Sequence, residues 1–536
     1  MGTKQYDSAT DLLTFSRASG GTALRRVGYG AELVTNGTFE SDTDWSLAST
    51  WSVGSGTLNY AGSGNNTAKQ TNVFEIGKMY LVSAEMVAGA GTAQIYSGTG
   101  GSRTGHDVLE FTSVGTYSRF VLATATSLII RRAGGTSFSI DNVSVKEVIF
   151  DRATDPLVLF NHPANIPRIE YDAAGAVKGL LIEEARTNLL THSNDFTNAV
   201  WINTNNSNTA NAGVSPDGTS NANKVVPTVS SGIHYTYRDV NFPYADHSFS
   251  VYVASAGYGF ATICAGSNAF GDYYAVVIDL SDGTQTALYS QGTHSKTVTV
   301  EPVGSYYRVT ISGNGERYYV VGASDTGTYT PSNYGFKSFS GDGTSGILVY
   351  GAQAEAGAFP TSYIPTTGAT ATRAVDVALI PTSAFGFNSE AMTVVVNCSG
   401  MSFAGASYPR LWEIGSSINS QDRINVFLKS ADGNFGAGFV TANVDESSFT
   451  LGTGNTTPTA QVKIAYALKE NDIAAVQDVG LLRTDSSATL TGGNPRTLLG
   501  LGISTVYSSS PLNGHIKSIQ YYPRRLTNAQ LQELTT

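Results

Sequence analysis

Apolar and polar residues alternate along most of the chain in short strings of about five to eight, the period of strands with one buried face. Lys296-Thr297-Val298-Thr299-Val300-Glu301 is one such string, with Val298 and Val300 on one side and the threonines on the other. Asx-Gly pairs punctuate the strings at Asp217-Gly218, Asp282-Gly283, Asn314-Gly315, Asp342-Gly343, Asp432-Gly433 and Asn513-Gly514, where a tight β-turn needs positive φ. None has the full Asp-x-Asp-x-Asp-Gly spacing of a calcium loop, so all are read as turns. Helical periodicity is scarce. The one helix expected lies in the tail after Leu526, where Thr527 and Gln530 make a capping box.

One larger pattern is written twice. Leu33-Val34-Thr35-Asn36-Gly37-Thr38-Phe39 leads to Trp45, and Leu189-Leu190-Thr191-His192-Ser193-Asn194-Asp195-Phe196 leads to Trp201. Each copy later carries Gly-[Thr/Ser]-Tyr-x-Arg before an apolar residue, at Gly115–Phe120 and Gly304–Val309. Each closes on an apolar strand, Phe138–Val145 or Gly346–Tyr350. Trp45 and Trp201 hold matching points in copies of different length and are therefore read as core. A duplicated module of this kind gains strength by engaging several weak sites at once.

The expected organisation is an N-terminal anchoring segment (1–30), a first sandwich (31–149), a connector (150–187), a second, larger sandwich (188–366), a small-residue linker and a last domain (373–536). A chain of 536 residues is too long for one core, and about three or four domains is the natural division. Charged residues make up only 14%, against roughly 25% in ordinary soluble chains, yet 41% are hydrophobic, so disorder is excluded. The net charge of −10 is diffuse and lacks the clustered Lys and Arg that nucleic acid or anionic membrane requires. Cys264 and Cys398 fall in different domains, so no disulfide framework is expected. No apolar run approaches the ~18 residues of a membrane span, and the start lacks a signal-peptide core. Synthesis in a cytoplasm without membrane insertion is the expectation.

Asn36-Gly37-Thr38-Phe39-Glu40, the tryptophan after it and Ile140-Asp141-Asn142-Val143 resemble jelly-roll carbohydrate-binding modules. Gly514–Tyr522 with the capped helix behind it resembles concanavalin A-like (laminin-G-like) lectin domains. The connector from Asn165-Ile166-Pro167-Arg168 through Trp201 is similar to a segment of bacteriophage and gene-transfer-agent virion proteins, the tail fibres and head spikes. The resemblance implies an all-β chain: two jelly-roll carbohydrate-binding-like sandwiches and a concanavalin A-like sandwich behind a short anchor.

Sugar recognition needs flat aromatic faces with a few polar groups aimed at hydroxyls. The candidates are Trp51, Tyr96 and Arg103 in the first sandwich and Tyr235, Tyr237, Tyr273 and Tyr274 in the second, with cross-strand packing as the alternative for each. The resemblance also implies a structural Ca²⁺ between opening and closing strands, held by Glu40 and Asp141 with backbone oxygens near Asn36. A solvated Glu40 is the alternative. The second copy departs from the pattern, with Thr197 in place of the glutamate and Glu355 near the end of the repeat.

For catalysis, the adjacent Glu183 and Glu184 face opposite ways on a strand and cannot make a glycosidase pair. The 7 histidines show no zinc spacing, and no nucleophile elbow or phosphate loop is present. The chain is therefore expected not to be an enzyme. It is expected to be an oligomeric virion fibre or spike protein that binds the cell-surface polysaccharide of a bacterial host and attaches to other virion proteins. A ligand-free decoration or spacer is the first alternative and a capsule depolymerase the second.

Overall fold

The computed structural model describes residues 12–536 apart from 65, 101–103, 241–245, 267–271, 292–295, 315–316, 331–333, 403–407, 417–420, 430–432, 454–460, 479, 491–492 and 507–509. Among the described residues it is built of antiparallel β-sheets, with two short helices, Thr382–Phe385 and Asn528–Leu534. The second helix carries the expected capping box between Thr527 and Gln530. Two compact units are present, Arg26–Pro156 and a larger one made of residues 1–25 with 157–536. Among the described residues no helix is long and apolar enough to cross a membrane.

In the smaller unit, the strands Met79–Gly98 and Ser127–Phe150 pair along their length, with register breaks at four points. Bulges of this kind bend a ribbon, so the same two strands wrap a single core of Trp45, Trp51, Tyr60, Phe111 and Phe138. Gly135, at φ 77°, sits at one break, and a Cβ there would lie 2.4 Å from the Gly91 Cα. Only glycine fits that approach.

The larger unit holds two sandwiches. One stacks two six-stranded sheets, in the orders Ile202–Thr204, Tyr235–Asp239, Tyr318–Ser324, Phe260–Gly266, Tyr273–Asp279, Gln285–Gln291 and Asn206–Gly213, Ala222–Pro227, Gly346–Ala356, Asp246–Ala256, Tyr306–Asn314, Thr297–Val303. Phe249, Ile263, Val276, Tyr319 and Val321 fill the space between them. The other sandwich stacks two seven-stranded sheets around Trp412, Phe435 and Tyr466. Residues read from the sequence as anchor and connector are strands of this last sandwich: Thr14–Ser16 pairs with Val377–Pro381, and Val177–Ile182 joins Ile169–Tyr171 to Gly514–Tyr522.

The two written copies share one local geometry. Trp45 Nε1 donates to the Asn36 carbonyl at 3.1 Å, and Trp201 Nε1 to the His192 carbonyl at 3.0 Å. Asn36 and His192 have φ of 52° and 53°. The next carbonyl in each copy, Gly37 or Ser193, accepts an N–H from the closing strand, from Val143 or Ala352. Both Gly-x-Tyr-x-Arg strands pair with the neighbour of the closing strand, placing Arg119 opposite Val82 and Arg308 opposite Tyr252. Trp45 and Trp201 are 7% and 3% exposed, core residues as their matched positions imply.

Beneath the connector lies a closed cluster of charge. Asp376 accepts Arg17 Nη1 at 3.0 Å and is also bound by Arg168. Arg168 Nη1 lies 2.8 Å from Glu183 Oε2, and Arg373 Nη2 lies 3.5 Å from the same oxygen. The three guanidiniums and Asp376 have no exposed side-chain surface. Backbone bonds reinforce the cluster, from Glu183 N to Asp376 Oδ2 at 2.9 Å and from Asp376 N to the Glu183 carbonyl at 3.0 Å. Burial acts to raise the Glu183 carboxyl, but Arg373, Arg168 and the Ser362 hydrogen bonds outweigh it and lower it to about 2. Burial and the neighbouring Arg168 lower Arg17 to about 10.

Removing one carboxylate leaves buried positive charge uncompensated. Asp376→Asn is expected to cost about 3–5 kcal/mol in urea unfolding at pH 7. Because folding depresses the Glu183 carboxyl, its contribution is full above the unfolded value of about 4.5 and is lost as pH falls toward about 2. Glu183→Gln should flatten that acid limb. An unchanged limb would contradict the assignment.

Candidate functional site

Strand alternation gives the Tyr235–Asp239 to Gln285–Gln291 sheet two unlike faces. The inner face carries Tyr319, Val321, Ile263 and Val276 into the sandwich. The outer face carries Tyr235, Tyr237, Tyr318, Tyr273 and Tyr289, with Cys264, Ala275 and Val320 between them. The register fixes this pattern, setting Tyr237 beside Val320, Val320 beside Cys264, Cys264 beside Ala275 and Ala275 beside Tyr289. The small residues between the two groups of rings are themselves buried, Cys264, Val320 and Ala275 being 0%, 1% and 2% exposed.

On one side, Tyr237 lies 5.8 Å from Tyr318 and 5.9 Å from Tyr235, and Tyr235 lies 5.1 Å from Phe336. On the other, Tyr273 lies 5.3 Å from Tyr289 and 5.5 Å from Tyr334, and Tyr289 lies 5.1 Å from Tyr329. The loop bearing Tyr334 and Phe336 reaches the sheet because residue 335 is glycine, where a Cβ would meet the Ala275 Cβ at 2.4 Å. Tyr235, Tyr237, Tyr289, Tyr318 and Tyr334 are half-buried, and Tyr329 is exposed.

Polar groups rim the rings. Arg317 makes a two-point contact with Asp239 and lies 5.9 Å over the Tyr318 ring. Lys296, almost fully buried, stands 3.8 Å from Asp272. Burial raises the phenols of Tyr235, Tyr237, Tyr318 and Tyr273, and Tyr273 is raised further by its bond to Tyr289. They therefore stay protonated donors near neutral pH. Half-buried rings ringed by donors and acceptors can take the apolar face of a flat, hydroxyl-bearing ligand.

Of the residues singled out from sequence, Tyr235 and Tyr237 are half-buried on this face, whereas Tyr273, on the same face, is 2% exposed and packs against Tyr289 and Tyr334 as a core residue. Tyr274 is not on this face, because adjacent strand residues point oppositely and it packs toward the sandwich interior. Trp51 is 5% exposed, with its indole N–H on the Asn66 carbonyl and its ring 4.9 Å from Tyr60, so it is a core residue rather than a platform. Tyr96 is fully buried, with its hydroxyl on the Gly100 carbonyl at 2.9 Å. Arg103 lies outside the described residues. Tyr289, Tyr318 and Tyr334 were missed. Tyr289 and Tyr318 both stand in alternating strings, but only the sheet order shows that they share a face with Tyr273 and Tyr237.

Glu40 is exposed, and its backbone N–H is held by Asn36 Oδ1 at 3.0 Å. The Asp141 carboxylate accepts the Asn142 N–H at 2.7 Å. Among the described residues no three His, Cys, Asp or Glu side chains gather as a metal site. Glu355 is buried and accepts the N–H and hydroxyl of Thr361, so it pins a loop.

No protein-family model matches the chain, and no curated protein matches it. Solved structures give distant likenesses. The carbohydrate-binding module CBM40 of the Ruminococcus gnavus IT-sialidase, bound to α2,6-sialyllactose, is 14% identical and matches 27% of this chain and 84% of its own, with a TM-score of 0.24. Domains LG4-5 of the mouse laminin α1 chain are 11% identical over 55% of this chain and 86% of theirs, with a TM-score of 0.20. A Trypanosoma rangeli sialidase is 7% identical over 96% of this chain and 94% of its own, with a TM-score of 0.23. The expectation that the chain is not an enzyme is corrected by the sialidase likeness, which spans nearly the whole chain. None of these scores assigns an activity or a ligand.

The raised phenols give a direct check. Stability contributed by Tyr235, Tyr237 and Tyr318 is complete below the unfolded value of about 10 and is lost as pH rises through their folded values. In ultraviolet titration of the folded chain, replacing all three with Phe should remove three phenols from the phase above pH ~10. Loss from the phase at about 10 instead would contradict their burial.

Proposed function

We propose that the chain binds cell-surface polysaccharide through the tyrosine face of its second sandwich. The observation that supports this reading is the set of half-buried rings, Tyr235, Tyr237, Tyr289, Tyr318 and Tyr334, on the outer side of a six-stranded sheet, with Arg317 and Asp239 at the rim. These five rings keep exposed edges that Tyr273 and Phe336 in the same cluster, and Trp51 and Tyr96 in the smaller unit, lack. A surface with a net charge of −10 and few charged residues suits neutral, hydroxyl-rich ligands.

The finer reading is a fibre or spike protein of a bacteriophage or related virion, used in adsorption to a bacterial host. Its support is the connector from Asn165 to Trp201, whose resemblance to virion proteins is the most specific in the sequence. Several copies on one particle would raise effective affinity by roughly 10²–10⁴ where geometry lets them engage together. A ligand-free spacer is the competing reading.

Each stacked ring supplies about 0.5–1.5 kcal/mol beyond its buried area, so Tyr237→Ala with Tyr318→Ala should weaken polysaccharide binding about tenfold or more. Pull-down of purified host polysaccharide by the full chain checks this, with circular dichroism confirming the fold. No capture by the wild type would favour the spacer, and equal capture by both would move the site off the tyrosine face.

A further inference from the structure

The opposite face of the same sandwich borders a second cavity. A cleft of about 660 Å³ opens over the Tyr306–Asn314 and Thr297–Val303 strands, at one edge of the second six-stranded sheet and entirely within the larger unit. Thr297, Thr299, Glu301, Arg308 and Ser312 of this sheet line it, and register sets buried hydroxyls behind them. Thr297 pairs with Ser312 and Ser312 with Ser248, while Thr299 pairs with Thr310 and Thr310 with Ser250. The next row sets Glu301 beside Arg308.

The walls come from separate parts of the chain: Phe359 and Ser362 from the loop after the closing strand, Glu170 and Lys178 from the former connector, and Asn513 and His515 from the last sandwich. Their charges are mostly committed. Glu170 is bound by Lys178 at 3.1 Å and by His515 Nε2 at 2.5 Å, and Glu183 belongs to the closed arginine cluster. Asp172 and Glu301 remain exposed acceptors. Arg308 is 9% exposed and makes no ion pair among the described residues. Its Nη2 donates to Ser250 Oγ and the Thr361 carbonyl, and its Nε has no partner.

With Glu170 and Glu183 committed to their cations, Asp172 and Glu301 are the acceptors left beside Arg308, so no excess of positive charge is offered to an anion. Two fixed cations among hydroxyls disfavour a polycation. A neutral polyol satisfies both sets, because each hydroxyl donates to a carboxylate and accepts from a guanidinium. Phe359 and Pro360 add apolar surface for ring C–H groups.

We infer that this cleft is a second binding site, separate from the tyrosine face, that takes a neutral oligosaccharide across the Thr297–Thr299–Glu301 strand and Arg308. One sandwich would then hold sugar on both of its faces.

Calorimetric titration of the full chain with cellohexaose, xylohexaose and mannohexaose, and with hexagalacturonate as the acidic probe, tests the site. A neutral probe is expected to fill two sites on the wild type. Thr299→Trp, which puts a large side chain into the cleft from an exposed position, should remove one site, and Glu301→Ala should weaken that site about tenfold. Tyr237→Ala with Tyr318→Ala should remove only the other. If Thr299→Trp alone abolishes binding, the cleft stands and the tyrosine face falls. The inference is overturned if Thr299→Trp and Glu301→Ala, both folded, titrate like the wild type. It is equally overturned if no neutral probe binds, or if only hexagalacturonate fills the cleft.

Discussion

Asp376 and Glu183 meet Arg17, Arg168 and Arg373 in a space closed to water, and much of the larger unit is organised by that meeting. Charges of this kind are costly to desolvate and persist where geometry and hydrogen bonds compensate. Most of that compensation is present, although the buried Nε atoms of Arg168 and Arg373 have no hydrogen-bond partner among the described residues. Arg168 also donates to the Thr22 carbonyl, Arg17 to the Pro163 carbonyl at 2.9 Å and Arg373 to the Glu184 carbonyl at 2.7 Å. The five side chains come from the start of the chain, the connector and the entry to the last sandwich, so no one of them can settle without the rest. Through Ser362, whose N–H and hydroxyl both bind Glu183, the cluster also fixes the loop that walls the cleft.

The paired sandwiches obey a second constraint. Each is opened by a residue of positive φ whose carbonyl holds a tryptophan and whose successor's carbonyl is tied to the closing strand. That junction is indifferent to what lies between opening and closing strands. The second copy is longer in this interval, and its extra strand length supplies the broad outer faces that carry the tyrosines and the hydroxyls of the cleft. A conserved junction with a variable interior lets one framework present different surfaces.

This division explains what could be read from the chain. The junctions were legible because Trp45 and Trp201, with the Gly-x-Tyr-x-Arg strings, repeat in local sequence. The turns were legible too: Gly218, Gly283 and Gly343 all take positive φ. Tyr235 and Tyr237 share a face through simple alternation. Tyr273 and Tyr274 could not both lie there, and the sheet order was needed to choose between them. Trp51 and Tyr96 sit in strings like those of the surface tyrosines, and only the rings and carbonyls packed on them from distant strands make them core. The ionic cluster was invisible because its members lie more than a hundred residues apart in several cases and read as scattered charges. A hint existed in Arg17, which follows the apolar Leu12–Phe15 run in a chain only 14% charged. The strand role of the connector was hidden for the same reason, since Ile169–Tyr171 and Val177–Ile182 find their partner in Gly514–Tyr522.

The claim that the tyrosine face is open and meets sugar is tested most directly by hydroxyl-radical footprinting of the full chain, with and without host polysaccharide. The account predicts that Tyr237, Tyr318 and Tyr289 are oxidised in the free chain while Trp51 and Tyr96 are spared, and that saturating polysaccharide protects the first three several-fold. Oxidation of those three tyrosines that is unchanged by polysaccharide the chain demonstrably retains would contradict it.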